Sequence, residues 1–269
     1  MEYIKLNTGI RIPIVGSGTN TFGKAGHAYM GEINGDTTEL KDAISLGYRH
    51  FDTAIGYRNE AVVGRAVSES GIGREEFFIT SKIPGTEEYY ADEQAVRAGV
   101  ESSLKALGTG YIDLYLIHHP WDDLKGMLRM WRVLEEYVDQ GVLKAIGVSN
   151  FEEEALNYIA QNARVKPAVN QIESHPGKWN AALIAASRKL DIVPEAWGPL
   201  KGVSGDAKAT LDTIGAVYGK TWAQVILRCQ IEQGVIVIPK SHNRERQAQN
   251  LDIFDFELTE AERQEISGL

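Results

Sequence analysis

Four side chains in the first half of the chain could do chemistry together: Asp52, Tyr57, Lys82 and His118. A tyrosine phenol titrates near pH ~10, too high to release a proton readily at neutral pH. A neighbouring ammonium favours the phenolate and lowers that value. Lys82 can supply the ammonium, and Asp52 can hold it charged and oriented. His118 can donate a hydrogen bond that positions a carbonyl oxygen. Such a set would give a proton to that oxygen while a hydride arrives at its carbon. The same four residues also fit a structural Asp52–Lys82 ion pair beside an ordinary aromatic, because ion-pair networks share this composition. The elements that position them therefore matter.

Short strand-like runs alternate with longer amphipathic segments along the chain. The runs are residues 15–18, 50–52, 77–81, 112–117, 145–148, 168–172, 192–195 and 235–238. Most are near-continuously apolar, as strands buried on both faces should be. Between them, residues 91–107 place Ala95, Val96, Val100, Leu104 and Leu107 on one helical face, and residues 124–140 do the same with Leu124, Leu128, Trp131, Leu134 and Val138. Helices also fit residues 37–46, 60–69, 152–163, 181–190 and 221–233. Strands alternating with helices imply parallel pairing. Eight such units in 269 residues predict an α/β fold, a (β/α)8 TIM barrel forming one domain over residues 1–269. The turn Asn7-Thr8-Gly9 between two short apolar runs predicts an N-terminal β-hairpin that closes the bottom of the barrel. In this fold functional groups lie at the C-terminal strand ends. Asp52, Lys82, His118, Ser149-Asn150, Asn170-Gln171, Glu195-Ala196-Trp197 and Lys240-Ser241 all end strands or follow them directly. Residues 23–36, with four glycines, make a long connection of the kind that carries function.

Composition narrows the possibilities. A net charge of -9 argues against nucleic acid and anionic membranes as partners. Cys229 is the only cysteine, so no intrachain disulfide can form, and a reducing compartment is expected. The N-terminus lacks a signal-peptide pattern and no apolar run could span a bilayer, so the expected location is cytoplasmic. The segment Gly18-Thr19-Asn20-Thr21-Phe22-Gly23-Lys24 nearly matches a phosphate-binding loop, but Ala25 stands where the magnesium-binding hydroxyl belongs. His118-His119 is not read as a metal site, because strand neighbours point to opposite faces. His50 and His175 read as structural, and His27 and His242 as loop residues.

Several separated motifs resemble the aldo-keto reductase family. They are Gly47-Tyr48-Arg49-His50-Phe51-Asp52-Thr53-Ala54 with Tyr57 and Asn59-Glu60, Ser81-Lys82, and Asp113-Leu114-Tyr115-Leu116-Ile117-His118-His119-Pro120. Gly147-Val148-Ser149-Asn150-Phe151, Val169-Asn170-Gln171-Ile172-Glu173-Ser174-His175-Pro176 and Ile238-Pro239-Lys240-Ser241 with Arg246 to Asn250 continue the series. The resemblance runs from about Leu6 to Phe256. It implies reduction of a small aldehyde or ketone by NADPH, with Tyr57 as proton donor. It also implies that Ser149, Asn150 and Gln171 bind the carboxamide and that Trp197, beside Pro199 and Leu200, stacks on the nicotinamide. Lys240, Ser241 and Arg246 would bind the 2′-phosphate, and Gln249 and Asn250 the adenine. Phe22, Tyr29, His119 and Trp121 are the expected substrate contacts. The chain lacks a Gly-x-Gly-x-x-Gly segment, which this family does not use. Relatives often have Trp where His119 stands and Glu where Gln249 stands. The family's members are mostly monomers or dimers, so a monomer or weak homodimer is expected. Two other readings compete: an aldolase or lyase using Lys82 as a Schiff-base nucleophile, and a non-catalytic NADP(H)-binding barrel.

Overall fold

A computed structural model describes residues 2–269. Strands β1 (Tyr3–Lys5) and β2 (Arg11–Pro13) pair antiparallel. Gly9 makes the turn between them at φ 87°, a left-handed conformation that suits glycine. The buried Leu6 and Ile12 pack against Phe78, Leu114, Leu116 and Ile236. The hairpin thus plugs one end of the sheet with apolar side chains, as its sequence suggested.

Eight parallel strands follow in chain order: β3 (Ser17–Gly18), β4 (His50–Asp52), β5 (Phe78–Ile83), β6 (Ile112–Ile117), β7 (Leu143–Ser149), β8 (Val169–Glu173), β9 (Val193–Trp197) and β10 (Ile236–Val237). The sheet closes on itself next to β3. The Gly16 amide donates to the Val237 carbonyl at 2.8 Å, and the Val237 amide donates to the Ile14 carbonyl at 2.9 Å. Helices α1 (Thr38–Leu46), α2 (Glu60–Ser68), α3 (Glu87–Tyr90), α4 (Glu93–Leu107), α5 (Leu124–Asp139), α6 (Glu153–Asn162), α7 (Ala181–Lys189), α8 (Gly205–Tyr218) and α9 (Trp222–Glu232) connect the strands, and α10 (Arg244–Leu251) and α11 (Glu260–Ser267) end the chain. Among the described residues, no helix is long and apolar enough to cross a membrane.

Local chemistry sets the element ends. The Asp92 carboxylate accepts from the Ala95 amide at 2.8 Å and starts α4, and Gly108, left-handed at φ 64°, stops it. The apolar stripe of α5 buries Leu128, Trp131 and Leu134. Trp131 Nε1 also donates to the Val165 carbonyl at 2.8 Å. Replacing such a buried indole by Ala should cost about 3–5 kcal/mol.

The runs at 50–52 and 112–117 match their strands residue for residue, and the others differ by a few residues. The expected strand at 235–238 shortens to Ile236–Val237. Pro239, just beyond it, has no amide hydrogen to extend a ladder. β5 runs on to Ile83, so Lys82 lies inside the strand and not after it. Helix α8 falls outside the expected helices, although Ser204 caps it by accepting from the Ala207 amide at 3.1 Å.

Candidate active site

Lys82 is fully buried on β5, and its ammonium spends its three hydrogens within the rim. It donates to Asp52 Oδ1 at 2.6 Å, to the Thr53 carbonyl at 2.9 Å and to the Tyr57 hydroxyl at 3.3 Å. Asp52 ends β4. The next turn, Ile55–Tyr57, is a single 3₁₀ turn that presents the phenol, and Arg58 leaves it at φ 61°. Buried Asn59 fixes this turn by accepting from Thr53 Oγ1 at 3.0 Å and donating to the Thr19 and Phe22 carbonyls at 2.7 and 3.1 Å. His118 follows β6, and its ring meets that of Tyr57 edge to face at 5.5 Å. Asp52, Tyr57, Lys82 and His118 therefore meet at one point.

Electrostatics at that point differ in one respect from the expectation of an acidified phenol. Burial raises the Tyr57 pKa, and Lys82 offsets only part of the rise. The phenol is therefore held protonated. Burial opposes the Lys82 charge, but Asp52 and Tyr57 together bring its pKa above the usual lysine value. Burial, then the Lys82 charge and His119, push His118 down to about 2, so its imidazole is neutral.

A cavity of about 550 Å³ opens over this cluster. Tyr57 and His118 stand at one part of its wall and Lys240 at another. Ser149, Asn150, Gln171 and Trp197 line it, as do Pro199 and Leu200. Asn150, at φ 60°, is heavily committed: its amide donates to the His118 carbonyl at 3.1 Å and to Ser149 Oγ at 2.9 Å, and its carbonyl accepts from Trp197 Nε1 at 2.9 Å. Lys201 lies 5.1 Å from the Trp197 ring, on the end of a 2.5 Å contact to Glu173. Trp197 is therefore a held aromatic at the cavity wall and not core packing.

Ser241, Arg246, Gln249 and Asn250 lie outside the cavity lining, on the segment after β10 and on α10. Arg246 is exposed, and among the described residues its guanidinium has no hydrogen-bond partner. Arg244 is occupied with Ser45 Oγ at 2.8 Å. Asn250 is buried. The 23–36 connection reaches this segment through Glu39, whose Oε1 lies 3.2 Å from His27 Nε2 and 2.7 Å from His242 Nδ1.

Of the four expected substrate contacts, Tyr29 and His119 line the cavity, and Phe22 and Trp121 do not. Phe22 is fully buried with its ring edge on His242, and Trp121 stacks on Tyr90 at 4.3 Å. His118 and His119 do not point to opposite faces. β6 ends at Ile117, so both lie beyond the pleat and their rings stack at 4.3 Å. Two participants were given no role in the sequence reading. Asn20 lines the cavity and accepts from Lys240 Nζ at 2.8 Å. Glu195 is fully buried beneath Gln171. Its signals were its place at a strand end and a carboxylate set inside the run Ile192-Val193-Pro194-Glu195-Ala196-Trp197.

A closed parallel barrel with a tyrosine, lysine, aspartate and histidine at its C-terminal rim defines the class, and the Aldo/keto reductase family model matches residues 15–269. The chain belongs to that family. It is 38% identical to a morphine 6-dehydrogenase of Pseudomonas putida, over 99% of this chain and 90% of that one. It is 39% identical to a glyoxal reductase of Bacillus subtilis, over 100% of this chain and 92% of that one. A Bombyx mori aldo-keto reductase solved in complex with NADP superposes with a TM-score of 0.88 at 35% identity, covering 98% of this chain and 91% of that one.

Proposed function

We propose that this protein reduces a small aldehyde or ketone to the alcohol with NADPH, acting as one domain, with Tyr57 giving the proton. The observation that carries the reading is the Tyr57 hydroxyl 3.3 Å from an ammonium that is itself 2.6 Å from Asp52, at the wall of the cavity. The donor set fits the cofactor. A held aromatic face at Trp197, amides at Asn150 and Gln171 and the cation Lys240 line the same cavity as the phenol, and the exposed Arg246 lies outside it on α10. When bound, the dihydronicotinamide supplies the hydride. Ser149, Asn150 and Gln171 would hold its carboxamide, and Lys240, Ser241 and Arg246 its 2′-phosphate.

The chain's own residues do the rest. Neutral His118 can donate to the substrate oxygen without adding charge. The phenol of Tyr57 then moves its proton onto that oxygen as negative charge develops there. Lys82 stabilises the phenolate that remains, and Asp52 balances Lys82. The competing Schiff-base chemistry needs an unprotonated amine. Lys82 donates three hydrogen bonds and its pKa is raised, so it has no free lone pair to attack with. Tyr29, His119 and Trp197 give the cavity aromatic walls suited to a flat or compact carbonyl compound. The reading is tested by following NADPH absorbance with the purified protein and a panel of aldehydes, diketones and keto acids. Turnover with NADPH that exceeds turnover with NADH supports it. No cofactor-dependent loss of any carbonyl compound refutes it.

A further inference from the structure

Below the rim lies a carboxyl that the proposed chemistry does not use. Glu195 has no exposed surface. Its Oε1 accepts from Gln171 Nε2 at 2.5 Å, and the same nitrogen donates to Asp52 Oδ2 at 2.8 Å. A primary amide nitrogen has two hydrogens. Both are therefore spent on carboxyls, and the Gln171 oxygen is the only polar atom left to face the cavity. Asp52 alone would leave the amide hinged on one bond, and the second bond fixes its plane. Flipping the amide would set its oxygen against both carboxyls at once.

We infer that Glu195 is a positioning residue that, together with Asp52, locks the Gln171 side chain with its carbonyl oxygen toward the cavity, ready to accept an N–H from the cofactor. This rests on the proposed use of NADPH. The titratable groups facing Glu195 are Asp52 and Lys82 above it and His50 beside it, whose Nε2 is 4.0 Å from Glu195 Oε2. Burial and the Asp52 charge push Glu195 up to about 8. Burial pushes His50 down to about 3, so it offers no compensating charge. At neutral pH, Glu195 can thus serve as an acceptor without adding a second negative charge under Lys82. Above pH 8 that charge appears. It opposes formation of the Tyr57 phenolate, so reduction should slow with one ionisation step.

The experiment uses two variants and two readouts. Glu195→Leu removes the acceptor, and Glu195→Gln keeps one but cannot ionise. NADPH affinity is measured by quenching of tryptophan fluorescence, and kcat for a reduced aldehyde is measured from pH 6 to 10. E195L is expected to raise the NADPH Kd about tenfold at pH 7, the effect of losing one hydrogen bond in a dry site. E195Q is expected to bind NADPH as the parent does at pH 7 and to lose the fall in kcat near pH 8. Unchanged Kd in E195L, weakened binding in E195Q equal to that in E195L, or a persistent limb near pH 8 in E195Q would each overturn the inference. If E195L does not fold, the pH profile of E195Q decides alone. Parent protein that fails to bind NADPH would instead refute the proposed function, which separates the two failures.

Discussion

Replacing Lys82 by methionine should cost the protein stability as well as activity. Asp52 is 2% exposed, and without the ammonium its carboxylate keeps one side-chain donor, Gln171 Nε2 at 2.8 Å. Breaking a buried ion pair by removing one partner costs about 3–5 kcal/mol, because an uncompensated charge stays behind. A chain of 269 residues unfolds with an entropy of about 0.6 kcal/mol/K, so a loss of about 4 kcal/mol lowers Tm by about 7 °C. The penalty belongs to the bare carboxylate. The double variant Asp52→Asn/Lys82→Met removes both charges and should recover most of the loss. Scanning calorimetry of the parent, both single variants and the double variant closes the cycle. Equal Tm for parent and K82M, or additive losses in the double variant, would refute the argument that these two charges depend on one another.

Three further outcomes follow from the geometry. Arg246→Ala should raise the NADPH Kd about 10- to 100-fold, the loss of a charge-assisted contact, and leave the NADH Kd unchanged; equal effects on both cofactors in a titration would contradict the 2′-phosphate role. His118, held neutral with a pKa of about 2, should contribute no step to the kcat profile between pH 5 and 8; a step near pH 6.5 that vanishes in His118→Gln would contradict this. Glu195→Gln should stabilise the fold at pH 8 relative to pH 5, since the parent loses stability as pH rises from the ordinary glutamate value of 4.5 toward about 8; a Tm difference independent of pH would exclude it.

Much of this was legible because the βα unit writes itself in two periods. Continuous apolar runs mark strands buried on both faces, and stripes at helical spacing mark the outer layer, so the barrel and the rim carrying Asp52, Tyr57, Lys82 and His118 could be read directly. Elements with little apolar contrast were harder. Helix α8 holds few large apolar residues, and its cap at Ser204 is a weak signal alone. β10 is two residues long, held largely by its place between β9 and the chain before β3. Beyond the Asp52, Lys82 and Tyr57 set, contacts between distant segments could not be read. Nothing in the local sequence says that Phe22 faces His242, that Trp121 stacks on Tyr90, or that Glu195 and Asp52 share one amide. The sign of the Tyr57 shift was missed for a related reason. The residue types reveal the ammonium, and only the packing reveals how far burial outweighs it.

In the proposed chemistry the phenol of Tyr57 is the proton source. Tyr57→Phe keeps the ring and removes the hydroxyl that lies 3.3 Å from Lys82. A single preparation of this variant should be titrated with NADPH and then assayed for aldehyde reduction. A Kd within about threefold of the parent with kcat lowered about 10²–10⁴-fold is the expected result, the usual contribution of a positioned general acid. Parent-like turnover, or a loss of cofactor binding in place of a loss of chemistry, would contradict it.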